Sequence, residues 1–404
     1  MRGRLLLLVP TTSYRIGDFL RAAERLNVDV AVGSDQRGVL AQFSHGRTIY
    51  VDFKAIDRGV GQIAGFNEDY PLAAIIGVDQ ETTLLAAAAS AALGLRHNPP
   101  ASVEAAGNKY RFRSRLANSG LPAPWFTLVP LADDPAAHAG QLAYPVVLKP
   151  LALSASRGVI RADNPDQFVA AFARVRAILA QTDSHILVED YIPGREVALE
   201  GLLDDGQLRV LAIFDKPDPL EGPYFEESLY ITPSRLPAPL QADIAQTVGA
   251  GVAALGLSEG PVHAELRLND DGIWLIEVAA RSIGGLCSRA LEFGAGGRLE
   301  DLIIRHALGL PPGIDSAAQA ASGVMMIPIP AAGTLRLVSG LDAARAVSGI
   351  QDVTISIPLG DVLVPVPDGN RYLGFIFAAG ATPMAVEAAL RDAHGKLEFQ
   401  IDAD

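Results

Sequence analysis

Along this chain the apolar residues fall into two alternating rhythms. In the first hundred residues, short apolar runs at "LLLLVP", "VDVAVG" and "AAIIGV" alternate with segments of helical period at Gly17 to Leu26 and Thr82 to Leu93. That alternation predicts a parallel sheet flanked by helices. From about Ala106 the rhythm changes to strand-like runs, "YPVVLKP", "GVIRAD", "SHILVEDYI", "EVALEGLL" and "LRVLAIFD", with a helix over Pro165 to Ala180 after Asn164. This is an α+β pattern. The last eighty or so residues carry strands at "VMMIPIP", "DVTISIPL", "YLGFIFAAG" and "KLEFQID", with helices near Leu341 to Val347 and Pro383 to Ala393. The division expected is an N-terminal α/β domain over 1–105, a core over 106–309, a Pro, Gly, Ser and Ala-containing linker over 310–323, and a small C-terminal domain over 324–404.

Composition narrows the partners. Lys and Arg number 33 against 46 Asp and Glu, a formal charge of -13, and no basic run interleaves with aromatics. Nucleic acid is therefore not an expected partner, because neutralising phosphates takes clustered cations. The single cysteine, Cys287, forms no intrachain disulfide, which points to the cytoplasm. The opening run Leu5 to Val9 is shorter than a signal peptide requires, and no run reaches membrane-spanning length. No G-x-G-x-x-G follows the first strand, so nothing supports dinucleotide binding there.

Candidate chemistry concentrates in "HAELRLNDDGIWLIEVAARSIGG", residues 263–285. If Asp270, Asp271 and Gly272 form a three-residue hairpin loop, Asn269 faces Ile273 and Glu265 faces Glu277. Two directly opposed carboxylates repel unless something positive lies between them, and such a pair suits Mg2+, which takes oxygen ligands. The plainer alternative pairs Glu265 with Arg267 or Arg281 on a solvated face. His263 shares the predicted face and is a further candidate for phosphate or substrate, although a strand histidine is more often structural.

Three other segments bear on that choice. In "VVLKPLALSASRGV", Lys149 ends an apolar strand before a Ser-rich loop through Ser154, Ser156, Arg157 and Gly158, whose N–H groups and hydroxyls suit phosphate oxygens. In "ILVEDYIPGREV", a strand ends at Glu189, Asp190 and Tyr191 before a turn to Glu196, an arrangement able to present backbone to a purine edge. Arg281 lies four residues past Glu277 and just before Gly284 and Gly285, and its planar fork suits phosphate or carboxylate. Taken singly, each also reads as an ordinary loop or surface residue.

In order, these segments resemble the ATP-grasp superfamily, specifically its carboxylate-amine ligase branch. The region from "GTLRLVSGLDAARAVSG" through "RYLGFIFAAGATPMAVEAAL" resembles the C-terminal domain of L-amino acid ligases. The resemblance implies an ATP-grasp fold with a pre-ATP-grasp domain over 1–105 and a phosphate-loop lid within 106–190. It implies that Lys109 and Lys149 meet ATP, that Ser154 to Gly158 close over its phosphates, and that Glu189, Tyr191 and Ile192 form the adenine hinge with Glu196 near the ribose. Glu265 and Glu277 would hold Mg2+ or Mn2+, and Arg281 with Lys149 would stabilise the transferred phosphoryl group. In "PYFEESLYITPS", Glu226 or Glu227 would meet the metal or the incoming amine.

The implied activity is ATP-dependent joining of a small carboxylate to an amine through an acyl phosphate, with release of ADP and phosphate and with amino acids as the implied substrates; the resemblance also suggests a homodimer. A purine-biosynthetic or bicarbonate-activating enzyme and a non-catalytic nucleotide-binding module are the alternatives. Two positions depart from the pattern: Ala279 stands where many ATP-grasp enzymes have a metal-binding Asn, and the phosphate loop has one glycine, Gly158.

Overall fold

The computed structural model describes residues 4–36, 47–180, 184–293, 296–311 and 320–403. The N-terminal region is a parallel sheet with strand order Thr48–Tyr50, Val30–Ser34, Arg4–Leu8, Leu72–Gly77. Its central strand is apolar from Leu5 to Leu8 because both faces are covered. Leu5 and Leu7 pack with Phe19 and Ala22, whereas Leu6 and Leu8 pack with Ile63 and Leu85. Each such leucine contributes about 1.5–3 kcal/mol by leaving water.

A four-stranded antiparallel sheet, Phe126–Pro130, His185–Asp190, Val146–Lys149 and Ile160–Ala162, carries helix Pro165–Leu179 on its apolar face. That helix starts at Asn164, whose side chain accepts from Gln167 N. The larger antiparallel sheet runs Gly272–Ala279, Gly260–Asn269, Arg195–Asp204, Gln207–Asp215, Leu229–Thr232, Ala321–Ile327, Gly374–Gly380, Ile350–Ile355. Its last three strands come from the C-terminal region. That region therefore extends the central sheet edge to edge, through Leu229↔Met325 and its neighbours. Most of the expected linker, residues 312–319, lies outside the described residues, and Ala321–Gly323 already belong to a strand.

The hairpin corrects one expectation and keeps another. Asn269 pairs with Gly272, so the loop has two residues, not three. By itself that turn would place Glu265 opposite Ile276. A bulge between Glu265 and Leu266 intervenes: Leu266 pairs with Leu275, Ile276 is the extra residue, and Glu265 pairs with Glu277. Among the described residues no helix is long and apolar enough to cross a membrane.

Candidate active site

One cleft of about 600 Å³ lies where the three regions meet. Of the residues singled out from the sequence, Lys109, Lys149, Ser154, Ser156, Glu189, Tyr191, Ile192, Glu196, Glu227, His263, Glu265, Glu277 and Arg281 all line it. Arg157, Gly158 and Glu226 do not. Arg157 turns away, donating from Nε to Asp368 O at 2.8 Å, while Gly158 N donates to Pro367 O at 2.8 Å. The loop is thus tied to the C-terminal segment, and Ala155 and Ser156 supply its left-handed turns, each at φ 54°.

At one end, Lys149 and Arg113 share a buried carboxylate. Arg113 donates to Glu189 through Nε at 2.7 Å and Nη2 at 2.9 Å, and Lys149 Nζ lies 2.6 Å from Glu189 Oε1. Burial pushes the Glu189 carboxyl up, but the two cations override it and hold it at about 2. Burial also pulls the Lys149 ammonium down, with Glu189 opposing. Two cations on one carboxylate leave this end positive. Lys109 Nζ adds a third, donating to Leu153 O at 2.6 Å within the phosphate loop. The hinge is less open than expected: Tyr191 N donates to Pro145 O and Ile192 O accepts from Arg267, so two of its backbone groups are used internally.

At the other end the count reverses. The strand Gly260–Asn269 pairs with Arg195–Asp204 so that Arg267 faces Glu196 and His263 faces Glu200, with small Ala198 opposite Glu265. Each facing pair is bonded: Arg267 Nε donates to Glu196 Oε2 at 2.9 Å, and His263 Nδ1 lies 2.5 Å from Glu200 Oε1. Lys216 enters among the carboxylates, 2.7 Å from Glu196 and 3.2 Å from Glu265, and bonded also to Glu227. Tyr230 Oη donates to Glu227 Oε1 at 2.8 Å. Four carboxylates, Glu196, Glu200, Glu227 and Glu265, therefore face three cations, Lys216, His263 and Arg267. Glu277 is a further carboxylate of the cleft, and no ion pair is seen for it among the described residues.

The titrations follow from that imbalance. Burial and the nearby Glu265 push the Glu227 carboxyl up to about 7 against the pull of Lys216. Glu265 goes the other way: burial raises it, but Lys216 and His263 hold it well below the usual range. Burial disfavours the Lys216 ammonium, and the surrounding glutamates overcome this and hold it charged. For His263 burial likewise favours the neutral ring, but Glu200 and Glu265 raise it to about 9.

Glu196, expected near the ribose, lines the cleft with both oxygens bonded to Lys216 and Arg267. Glu265 pairs with neither Arg267 nor Arg281 among the described contacts. Lys216, Glu200 and Arg113 were missed. Lys216 had a readable signal, since "FDKP" repeats the strand-end Lys-Pro of "VLKP", and Glu200 lies on the same strand face as Glu196 within an apolar run. A second cluster, Asp204, Glu259 and His306, has ligand spacing in space, but Arg96 pairs with both of its acids.

The cleft thus has a lysine-bearing end and a carboxylate-rich end, set on an ATP-grasp fold. The comparisons agree: the ATP-grasp domain family matches residues 142–290, and the L-amino acid ligase C-terminal domain 2 family matches residues 325–402. Residues 142–290 are thus an ATP-grasp domain and residues 325–402 an L-amino acid ligase C-terminal domain, which relates the chain to the ATP-grasp carboxylate-amine ligases. The crystal structure of an L-amino acid ligase from Bacillus licheniformis superposes with TM-score 0.83 at 26% identity, covering 100% of both chains. Alanine–anticapsin ligase of Bacillus subtilis is 27% identical over 65% of this chain, which spans 60% of that protein's length. A carboxyaminoimidazole ribonucleotide synthase complexed with ATP shares the fold, with TM-score 0.75 at 17% identity over 98% of this chain and 99% of that one.

Proposed function

We propose that this chain joins an amino acid to an amine-bearing partner, itself an amino acid, at the expense of ATP. The observation that carries the reading is the Glu265↔Glu277 pair in register on a hairpin that lines the same cleft as Lys149 and Lys109. A nucleotide pocket without chemistry has no use for opposed carboxylates beside its phosphate end.

The residues fit a divalent ion. The bonded cage carries one more carboxylate than cation, and Glu277, opposite Glu265, is a further one. Glu265 and Glu277 would hold Mg2+ or Mn2+, which supplies charge neutralisation between the ATP phosphates. Ser154 and Ser156 on the loop, with Lys149 and Lys109, bind the phosphates, and the Glu189 segment with Tyr191 and Ile192 flanks the purine. Glu196 braces the cage through Lys216 and Arg267. Arg281 and Lys149 face the charge spreading over the transferred phosphoryl group.

The chemistry balances in two steps. A carboxylate oxygen of the first substrate forms a bond to the γ-phosphorus and ADP leaves, giving an acyl phosphate. The nitrogen of the second substrate then bonds to the acyl carbon and phosphate leaves. The proton lost by that nitrogen goes to Glu227, which titrates near neutrality and lines the cleft. The loop, tied through Gly158 and Arg157 to the C-terminal segment, excludes water from the acyl phosphate.

The test is ADP and phosphate release from Mg-ATP against amino acids presented singly and in pairs. Release that depends on a pair of amino acids supports the reading. Release that requires a ribonucleotide or bicarbonate overturns it.

A further inference from the structure

The carboxylate-rich end of the cleft offers a divalent ion two sets of acids, and the protein treats them differently. Glu196, Glu227 and Glu265 each bring one oxygen within 4.8 Å of the others, the spacing of a metal-binding trio. Glu265 and Glu277 face each other across the hairpin. Lys216 stands within the trio, whereas for Glu277 no ion pair is seen among the described residues.

Lys216 is built into its place. It directly follows strand Gln207–Asp215, its backbone N donates to Glu196 O at 3.4 Å, and its side chain is 3% exposed with Nζ 5.0 Å from the centre of the Tyr230 ring. An ammonium has three donors. Here Nζ meets three carboxylates: Glu196 Oε1 at 2.7 Å, Glu265 Oε1 at 3.2 Å, and Glu227. The three glutamates line the cleft and Lys216 does not, so the ammonium sits behind them.

The same contacts limit what Glu265 can give to a metal. Lys216 Nζ, His263 Nε2 at 3.3 Å and Tyr230 Oη at 3.4 Å all converge on Oε1. A carboxylate engaged in this way offers an ion its other oxygen and does not bridge two ions through both. Two residues past Glu277 on the same strand stands Ala279, paired with His263, and its side chain has no ligand oxygen. The hairpin is therefore equipped for one ion, and the trio beside it already holds a cation. The cluster of Asp204, Glu259 and His306 is filled in a similar way, by Arg96.

We propose that the Lys216 ammonium stands in the place of a second divalent ion, so that this cleft takes one Mg2+ or Mn2+ per nucleotide, at Glu265 and Glu277. The proposal rests on the metal assignment within the ligase reading. It gives a buried lysine outside the cleft wall a definite task. Lys216 neutralises the trio in every state of the enzyme, and that part of the site's charge does not depend on the concentration of free metal.

The experiment counts Mn2+ on the full chain by electron paramagnetic resonance titration with a non-hydrolysable ATP analogue. Wild type is expected to bind one Mn2+ per chain, with the spectrum of an isolated ion. Lys216→Ala empties the trio and is expected to bind a second, whose proximity broadens the signal of the first. Added Mn2+ should also raise the unfolding temperature of Lys216→Ala more than that of wild type, since the ion restores the lost positive charge. Combining Lys216→Ala with Glu227→Gln removes a ligand of the trio and should return the count to one, and Lys216→Arg, which keeps the charge, should also bind one. Two ions in wild type, or a count of one in folded Lys216→Ala, overturns the proposal; the wild-type count decides even if Lys216→Ala does not fold. Wild type that binds the nucleotide analogue without any Mn2+ overturns the proposal together with the metal assignment. If the counts are as expected yet no pair of amino acids elicits ADP release, the Lys216 assignment stands and it is the ligase reading that fails.

Discussion

Two buried lysines end apolar strands just before proline, and they have opposite surroundings. Lys149 shares one carboxylate, Glu189, with Arg113; Lys216 stands among Glu196, Glu227 and Glu265. Burial pulls both ammonium groups toward neutrality. At Lys149 burial wins over a single shared partner, whereas at Lys216 the glutamates win. The same residue type in the same local sequence thus stands at a cation-rich end of the cleft in one case and a carboxylate-rich end in the other. A bound nucleotide needs the first for its phosphates and the second for its metal.

The largest effect expected from breaking this polarity is at Glu277. Glu277→Ala should lower ADP release by on the order of 100-fold or more, while fluorescence titration shows nucleotide binding retained. Near-wild-type turnover would refute the metal role. Next comes the contrast between the lysines themselves. Lys216→Met takes the shared cation from buried Glu196 and half-buried Glu227 and Glu265, leaving them Arg267, Tyr230 and His263, and should cost about 3 kcal/mol in chemical unfolding. Lys149→Met leaves Glu189 with its bidentate arginine, so it should cost less and appear chiefly as a raised KM for ATP. Equal stability losses would show that the two ends are not electrically distinct.

A pH experiment probes the negative end alone. The folded His263 pKa, about 9, lies above the ordinary 6.5, so its contribution is fully present below pH 6.5 and is lost as pH rises through 9. The shift corresponds to about 3 kcal/mol. Unfolding free energy should fall across pH 6.5 to 9, and His263→Gln should flatten that slope. The smallest effect is expected at Arg157, whose side chain meets Asp368 O rather than the cleft. Arg157→Ala loses about 1 kcal/mol of latch and should raise the KM for ATP by under about tenfold.

Much of the lining of the cleft was legible because charged residues broke the local pattern. Glu265 and Glu277 are charged residues in strands that otherwise read as half-buried, and both line the cleft. Their opposition came from a three-residue loop, whereas the structure reaches it by a two-residue loop plus a bulge at Ile276; a bulge leaves no mark in an apolar run. Arg113 was not legible, since nothing in "NKYRFRSR" separates it, 1% exposed, from the exposed Arg111. Only the partner strand carrying Glu189 makes that distinction. Helix Ala238–Leu255, by contrast, was overlooked although Ile244, Val248, Gly251, Val252 and Leu255 have helical spacing. That the C-terminal strands continue the central sheet through Leu229↔Met325 was not legible, since an edge that joins a distant sheet looks locally like the edge of a small one.

The most direct measurement is Mn2+ binding, followed by electron paramagnetic resonance with a non-hydrolysable ATP analogue, in wild type, Glu277→Gln and Lys149→Gln. The expected result is loss of bound Mn2+ with retained metal-free nucleotide in Glu277→Gln, and weakened nucleotide with little change in metal affinity per bound nucleotide in Lys149→Gln. Unaltered Mn2+ binding in Glu277→Gln, or the same loss in both variants, would contradict a cleft divided into a phosphate end and a metal end.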